Sequence, residues 1–233
     1  MSHLVRTELF KLRSTKGPWV ASAAVVLAQL LFALLIGMQA ESALVRNGLG
    51  PRAGVCTGYP VLLLGITAIT QEYRYRTIVG AFLTTPARWR VLAAKAAAVA
   101  GLGAALSAVA QTIWLGAGLL RHGAAGMHLD QAGEVARLYW VTAAGVALLG
   151  VLGLALGTIV RNSTAALVVL IVGTIVEGAL EQFRYKGPFT SGLQVLSDRT
   201  AHGVPPGLVA LCLWVAVALC AALVVLRRDE TDS

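Results

Sequence analysis

The sequence predicts an all-α membrane protein with six transmembrane helices. Its mean hydropathy is +0.75, and charged residues make up 13% of the chain, compared with roughly 25% in soluble domains. A span needs about 20 residues, and long uncharged windows recur at 17–40, 53–71, 96–120, 138–160, 162–176 and 203–226. Alternating strand patterns are absent, which excludes a transmembrane barrel.

We interpret these windows as a single transmembrane domain covering residues 1–233. The fifth window is short because Glu177 interrupts it, and apolar sequence resumes at Gly178. The spans are therefore expected at about 18–40, 53–71, 91–119, 138–160, 163–183 and 207–226.

The positive charge of the chain is confined to its loops. The net charge of +8 suggests a nucleic-acid partner, but we reject that interpretation because the spans carry almost none of the charge. Of the 19 Lys and Arg residues, 12 fall before the first span, in 71–95, at Arg161 and after the last span, and 7 fall in 41–52, 120–137 and 182–206. The positive-inside rule then places both termini in the cytosol.

Residues 2–16, before the first span, are predicted to form an amphipathic helix on the cytosolic surface. Val5, Leu9 and Leu12 recur at helical spacing among charged residues. A cleavable signal peptide is the alternative, but its apolar region would be about 7–15 residues long. The run here is longer and further spans follow it, so we interpret it as an uncleaved span.

Residues 71–95, here called the elbow, are the most charged stretch between two long apolar runs. Glu72 and Arg76 are four residues apart, an acid-before-base pair that supports a helix. A short amphipathic helix is predicted at 72–83, with an apolar face formed by Ile78, Val79, Phe82 and Leu83. Thr85-Pro86 then predicts the start of a new helix. The elbow is too polar to span a membrane, and we expect it to lie at the cytosolic interface and contact a partner.

The elbow resembles the first cytoplasmic loop of ABC-2 type transporter permeases, the membrane subunits of one class of ABC exporter. The resemblance is carried by Glu72-Tyr73-Arg74, Thr77, Phe82-Leu83, Thr85-Pro86, Arg88, Arg90 and Lys95. Many members of that family have Gly where this chain has Arg76, and this departure affects the geometry of the turn. Elsewhere the resemblance lies in the order and spacing of the spans.

This resemblance implies the permease subunit of a bacterial exporter, located in the bacterial cell membrane. It would move substrate out of the cytosol with energy from ATP hydrolysed by a separate ATPase subunit, so the chain would be no enzyme and would hold no cofactor. The implied partners are the ATPase, a second permease copy (identical or paralogous) and membrane lipids. By the same resemblance, 2–16 is a connecting helix, 72–83 is a coupling helix and 182–206 folds back as short helices. The implied coupling residues are Glu72, Tyr73, Arg74, Arg76, Thr77, Phe82, Arg88 and Arg161.

Two polar residues inside the spans, Gln111 and Glu177, are candidates for lining the translocation path. Glu177 is expected to face the bundle interior or a wet vestibule, because a carboxylate that faces lipid is costly. The alternative is that it snorkels to the outer interface. In the tight turn before the fifth span, Asn162 or Ser163 is expected to cap the helix.

The third span is rich in Ala and Gly, and its small residues suggest a packing face. Ala97, Gly101, Ala105 and Val109 recur at four-residue spacing, which favours close approach of another helix. Trp114, near the outer half of this span, is expected to anchor at the membrane interface.

The sequence contains no motif for catalysis or metal binding. None of the four lysines follows a Gly, as a phosphate-binding loop requires; they follow Phe10, Thr15, Ala94 and Tyr185. No HExxH or GxSxG occurs, and His122 and His128 lack the spacing of a metal site. An independent ion-coupled transporter or a structural membrane subunit is the alternative function, with Glu177 as the one plausible coupling group.

Overall fold

The computed structural model describes residues 16–37, 51–75, 88–126, 132–180, 186–197 and 205–231. These ranges consist of helices and a few flanking residues, and within them there is no strand. The helices are α1 (Lys16–Gly37), α2 (Pro51–Arg74), α3 (Arg88–Gly126), α4 (Ala132–Val160), α5 (Ser163–Leu180), α6 (Pro188–Ser197) and α7 (Pro206–Thr231). The predicted amphipathic segment 2–16 lies outside the described ranges, apart from Lys16 at the start of α1.

Five of these helices, α2, α3, α4, α5 and α7, are long and apolar enough to cross a membrane, judged by length and composition. The apolar part of α1, Trp19–Leu35, is shorter. The predicted first span, 18–40, runs past the described end of α1, and the predicted fifth span, 163–183, runs past the end of α5. The described residues therefore show a helical, membrane-type protein with five candidate spans.

The crossing of α2 and α4 is the most extensive contact between any two described helices. A Cβ atom at Gly65 would overlap the carbonyl oxygen of Gly150, and one at Gly153 would overlap that of Leu62. Only glycine permits this approach, because the obstructing atoms belong to the backbone of the facing helix. In a membrane, where lipid is as apolar as leucine, such close packing is a main source of helix association.

The face of α3 on which the sequence places its small residues is exposed within this chain. A Cβ at Gly101 would meet nothing within 4 Å, and Ala97 and Ala105 are also exposed. The close approach uses Gly103 instead, where a Cβ would lie 2.8 Å from Cγ1 of Val61. Small residues recur on several faces of α3, so their spacing does not indicate which face enters the bundle.

Burial divides the bundle into a centre and a periphery. The apolar windows of α2, α3 and α4 are half or more buried, whereas those of α5 and α7 are about one-fifth buried. The outer helices α1, α5 and α7 expose many large apolar side chains, among them Leu27, Leu31, Leu34, Val168, Ile171, Ile175, Leu213 and Val217. This distribution suits helices whose outer faces meet lipid or another apolar surface.

The short helix α6 packs into the bundle against α2, α4, α5 and α7. Its Val195 and Leu196 are buried. Glycines of the longer helices make room for them: a Cβ at Gly145 would lie 2.7 Å from Val195, and one at Gly58 would lie 2.6 Å from Leu196. A short helix within 182–206 that packs back on the bundle is what the resemblance implied for this segment.

A buried polar cluster fixes α1 to α2 and α3. Gln29 donates to Thr57 Oγ1 at 2.9 Å and to the Ala53 carbonyl at 3.2 Å. Trp114 donates its Nε1–H to Gln29 Oε1 at 2.8 Å. Trp114 is 2% exposed, so the prediction that it anchors at the membrane interface is wrong, because its donor is used inside the bundle. A satisfied polar cluster of this kind specifies one packing arrangement among apolar helices.

The turn between α4 and α5 is short and well capped. Arg161 adopts the left-handed conformation, with φ at 57°, and its N–H donates to the Gly157 carbonyl at 2.9 Å. Asn162 Oδ1 accepts the N–H of Thr164 at 2.9 Å and that of Ala165 at 3.3 Å. The prediction that Asn162 or Ser163 caps the fifth span is therefore confirmed, and Asn162 is the cap.

Candidate functional site

One end of the bundle brings together the end of α2, the start of α3, the α4–α5 turn and the last turns of α7. An apolar cluster joins them: Ile69, Leu92, Leu154, Ala155, Ala222 and Leu226, with Tyr73 packed against it. The same end carries the cations Arg74, Arg90, Arg161, Arg227 and Arg228, and we call it the basic end. It gathers three stretches that the sequence separates widely, namely the described ends of the elbow (71–75 and 88–95), Arg161 and the arginines at 227–228.

The most buried ionic contact described at the basic end joins Glu72 of α2 to Lys95 of α3. Lys95 Nζ lies 2.7 Å from Glu72 Oε1, and the two side chains are 4% and 14% exposed. An ion pair shielded from water interacts more strongly than an exposed one, and removing one member leaves a buried charge behind. Glu72 therefore directs a carboxylate oxygen into the bundle, onto Lys95, and its contact with an ATPase stays a prediction.

Only the start of the expected helix at 72–83 lies within the described ranges. Residues 72–74 form the last turn of α2, and Tyr75 donates its N–H to the Gln71 carbonyl at 2.9 Å as the helix ends. Residues 76–87 lie outside the described ranges, and with them the predicted coupling residues Arg76, Thr77 and Phe82. The predicted Glu72–Arg76 pair therefore stays a prediction, while Lys95 is a partner that the structure shows for Glu72.

Lys95 is a residue that the sequence interpretation did not select as functional, although a signal for it exists. It is the one charged residue between Arg90 and Arg121, within a run of apolar sequence. Glu72 is the one acidic residue between Glu41 and Asp130. A lysine inside an apolar helix requires a counter-charge, so pairing the two by elimination would have predicted this contact.

The neighbouring residue, Tyr73, contacts the α4–α5 turn. The guanidinium carbon of Arg161 lies 5.6 Å from the centroid of the Tyr73 ring, a cation–π contact. A non-glycine residue in the left-handed region is unfavourable, so the fold accepts a backbone cost to hold this arginine beside Tyr73. Two of the predicted coupling residues, 88 positions apart in sequence, are thus in contact.

Outside these buried contacts, the basic end presents exposed cations beside exposed aromatic rings. Arg74 lies 6.0 Å from the Tyr75 ring and Arg90 lies 5.5 Å from the Trp89 ring. All four are exposed. The predicted coupling residue Arg88 begins α3, and its side chain lies outside what the structure describes. Exposed cations and aromatics at a helix-bundle end suit contact with an acidic protein surface or with lipid headgroups.

Glu177, predicted for the translocation path, caps the N-terminus of α6. Its Oε2 accepts the N–H of Phe189 at 2.9 Å, the N–H of Thr190 at 2.8 Å and the Thr190 hydroxyl at 3.2 Å. Glu177 is 7% exposed, so it faces the bundle interior and does not snorkel to the surface. A carboxylate at a helix N-terminus satisfies free N–H groups and the positive end of the helix dipole.

Gly187 and Pro188 make this cap possible. A Cβ at Gly187 would overlap the Glu177 carboxylate, so the position before α6 must be glycine. Pro188 occupies the first helical position, where its missing N–H costs nothing. The sequence shows Gly-Pro at 187–188, but it does not show that the carboxylate comes from another helix. Glu181, four residues after Glu177, lies outside the described ranges.

Gln111, the second residue predicted for the translocation path, is part of α3 and points its side chain at α4. It is 0% exposed. It donates to Ser107 Oγ at 3.2 Å and to the Tyr139 carbonyl at 3.4 Å. Its Oε1 is buried without a hydrogen-bond partner among the described residues. Gln111 therefore contributes to contact between two helices, and a role in a path stays a prediction.

In the described part of the chain, no group of three or more His, Cys, Asp or Glu residues is placed to hold a metal ion. No protein-family model matches the chain, and no curated protein matches it. Its resemblance to a family therefore depends on the residues of the elbow and on the order of its spans.

Proposed function

We propose that the chain is the membrane subunit of an ABC-2 type exporter, which moves substrate out of the cytosol using ATP hydrolysed by a separate ATPase subunit. One observation carries the proposal: exposed cations and aromatic rings gather at the basic end of an otherwise apolar helical bundle. The surface they form includes the described parts of the elbow, where the resemblance is concentrated. The chain supplies no phosphate-binding loop of its own, so in this proposal the ATP is hydrolysed by the partner subunit.

The basic end is the expected cytosolic side and the expected ATPase docking surface. Its excess of arginine agrees with the positive-inside rule, and α7 brings the C-terminal Arg227 and Arg228 to the same end. Arg74 and Arg90 are the described exposed cations of the elbow region. In this proposal they meet acidic groups of the ATPase, while Glu72 and Tyr73 act inside the bundle by holding the surface in shape.

Transport then follows from movement of this surface. Two permease copies would enclose a path between them, and closure of two ATPase subunits would displace the basic ends. The many apolar side chains exposed on α1, α5 and α7 supply surface both for a second copy and for lipid. The exposed cations also allow contact with anionic lipid headgroups at the same level of the membrane.

An independent ion-coupled transporter is the second candidate. The observation that favours it is the buried Glu72–Lys95 pair, since coupling in secondary transporters uses buried ionisable groups. Glu177 supports it less, because its carboxylate already caps α6. In this alternative, transport would respond to a proton or sodium gradient and would need no nucleotide.

The experiment that separates the two candidates is reconstitution. The full chain would be co-expressed with each candidate ABC ATPase from the same genome, starting with any that is encoded beside it, then purified and placed in lipid nanodiscs. We expect one ATPase to co-purify and its hydrolysis to change when the chain is present, whereas the chain alone hydrolyses no ATP. The control is the same ATPase with its catalytic Glu replaced by Gln. Gradient-driven transport in proteoliposomes containing the chain alone would contradict the proposal.

A further inference from the structure

The last turn of α2 contacts two other parts of the bundle through adjacent residues. Glu72 binds Lys95 on α3, and Tyr73 contacts Arg161 in the α4–α5 turn. Neighbouring residues on a helix point about 100° apart, so a single turn can contact two separate elements. We call these four residues the clasp.

A further contact ties α5 to the same turn of the bundle. Ser163, at the start of α5, donates to Thr70 Oγ1 at 2.6 Å, and Thr70 donates to the Ile66 carbonyl at 2.9 Å. Thr70 is buried and lies just before Glu72 on α2. The end of α2 is therefore joined to α3 by an ion pair and to the start of α5 by a cation–π contact and a hydroxyl contact.

We propose that Lys95 and Arg161 are positioning residues that hold the end of α2, the start of α3 and the start of α5 as one rigid unit. The proposal rests on the proposed function and adds two positioning residues to it. Because the three helices form one unit, a force applied at the basic end moves them together. α5 leads from the clasp to Glu177, which holds α6. Movement of the basic end is thereby passed to the short helix.

The burial of the ion pair is what makes Lys95 a positioning residue. Its neighbours on α3, including Val91, Leu92, Ala94 and Ala98, are buried apolar residues. A charged ammonium group surrounded by buried apolar residues is stable only while an opposite charge is paired with it. The pair therefore opposes any separation of α2 from α3 that would leave either charge alone.

The backbone conformation of Arg161 shows that its side chain is needed for the contact with Tyr73 rather than for the turn itself. At φ 57°, glycine would be the least strained residue, yet the chain places a long cationic side chain there, against Tyr73. A glycine at position 161 could therefore keep the conformation of the turn while the arginine side chain is removed. Replacing Arg161 with Gly removes the cation–π contact and at the same time relieves the backbone.

The first test measures geometry and needs neither ATPase nor substrate. Spin labels would be attached to Cys at positions 74 and 90, both exposed, in the full chain with its native cysteines replaced. We expect one narrow distance distribution, broadened by Lys95→Met, preserved by Lys95→Arg and restored when Glu72→Lys is combined with Lys95→Glu. Lys186→Met, at an exposed position, is the control and should change nothing. An unchanged distribution in Lys95→Met, or no restoration in the exchanged pair, would overturn the proposal.

The second test measures coupling in the reconstituted complex. Arg161→Gly should keep the thermal stability of the chain, yet lower ATP-driven transport by about tenfold, a size typical of interactions between contacting residues. Arg161→Lys should recover part of it, because lysine retains a cation near the ring. The exchanged Glu72→Lys and Lys95→Glu pair should restore transport together with the distance. Restored geometry without restored transport would overturn the positioning role and make Glu72 a direct contact of the ATPase.

If the wild-type chain couples to no ATPase, the proposed function fails, while the distance measurements still decide the rigidity of the clasp.

Discussion

Glu177 on α5 accepts the backbone N–H of Phe189 on α6 at 2.9 Å, so the cap of one helix is supplied by the side chain of another. This contact determines where α6 sits. It also explains why a carboxylate is buried in the last turn of the apolar helix α5, since it accepts free N–H groups at the start of α6.

Gly187→Ala should displace α6 from the bundle. The new methyl group would overlap the Glu177 carboxylate, and overpacking of this kind typically costs about 1–3 kcal/mol. The measurement is thermal unfolding in detergent. Gly178→Ala is the matched control, because a Cβ at Gly178 on α5 would meet nothing within 4 Å. Equal stability of the two variants would show that the Glu177 carboxylate does not lie against Gly187.

Glu177→Gln should weaken the cap without removing it. The amide oxygen can still accept the N–H of Phe189 and Thr190, but the favourable interaction of a negative charge with the helix dipole, worth about 0.3–2 kcal/mol, is lost. Hydrogen exchange of the 188–197 segment should become faster, and Glu177→Ala should accelerate it further. Exchange that is unchanged in both variants would show that the cap does not hold α6. Export that is also unchanged across a pH series would remove Glu177 from the translocation path.

Gly153→Ala should disrupt the centre of the bundle. Its Cβ would overlap the backbone of Leu62, which cannot rotate away as a side chain can, so α2 and α4 must separate. We expect a loss of at least about 1–3 kcal/mol, measured by unfolding in a denaturing detergent. Gly101→Ala on α3 should be neutral or slightly stabilising, because its position is open and alanine favours helix. A large loss from Gly101→Ala would indicate that a partner covers this face.

Trp114→Phe should destabilise the contact between α1 and α3. The variant keeps the aromatic volume but leaves Gln29 Oε1 without its donor, at a cost of about 0.6–2 kcal/mol for a polar contact between membrane helices. Trp140→Phe, at an exposed position, is the control. Combining Trp114→Phe with Gln29→Leu should cost less than the sum of the single changes, because no buried acceptor is then left unpaired. Strict additivity would mean that the hydrogen bond contributes nothing.

Cysteine labelling should place the basic end in the cytosol. In a background without native cysteines, a cysteine at position 90 should react with a membrane-impermeant reagent only after the cells are opened. A cysteine at Ala136, exposed near the start of α4, should react in intact cells, because α4 runs from there towards Arg161 at the basic end. Labelling of position 90 from outside would invert the topology and remove the proposed docking surface from the ATPase.

The sequence by itself determined the class of structure. An apolar segment in a membrane must satisfy its backbone groups within itself, so long uncharged windows are sufficient to predict helices. The cap at Asn162 was equally predictable, because it acts on N–H groups only two and three residues away. Five of the predicted spans correspond to helices long enough to cross a membrane.

Tertiary structure decided which residues meet. The contacts of Glu72 with Lys95, Glu177 with α6 and Trp114 with Gln29 all depend on how each helix is rotated about its axis. In a soluble protein the polar face of a helix would reveal that rotation. Here lipid and bundle interior are both apolar, so α3 carries small and apolar residues all round, and its sequence does not distinguish the face of Gly103 from the face of Gly101. The rotation is set by close backbone approach and by a few buried polar pairs, which exist only once the helices are packed together.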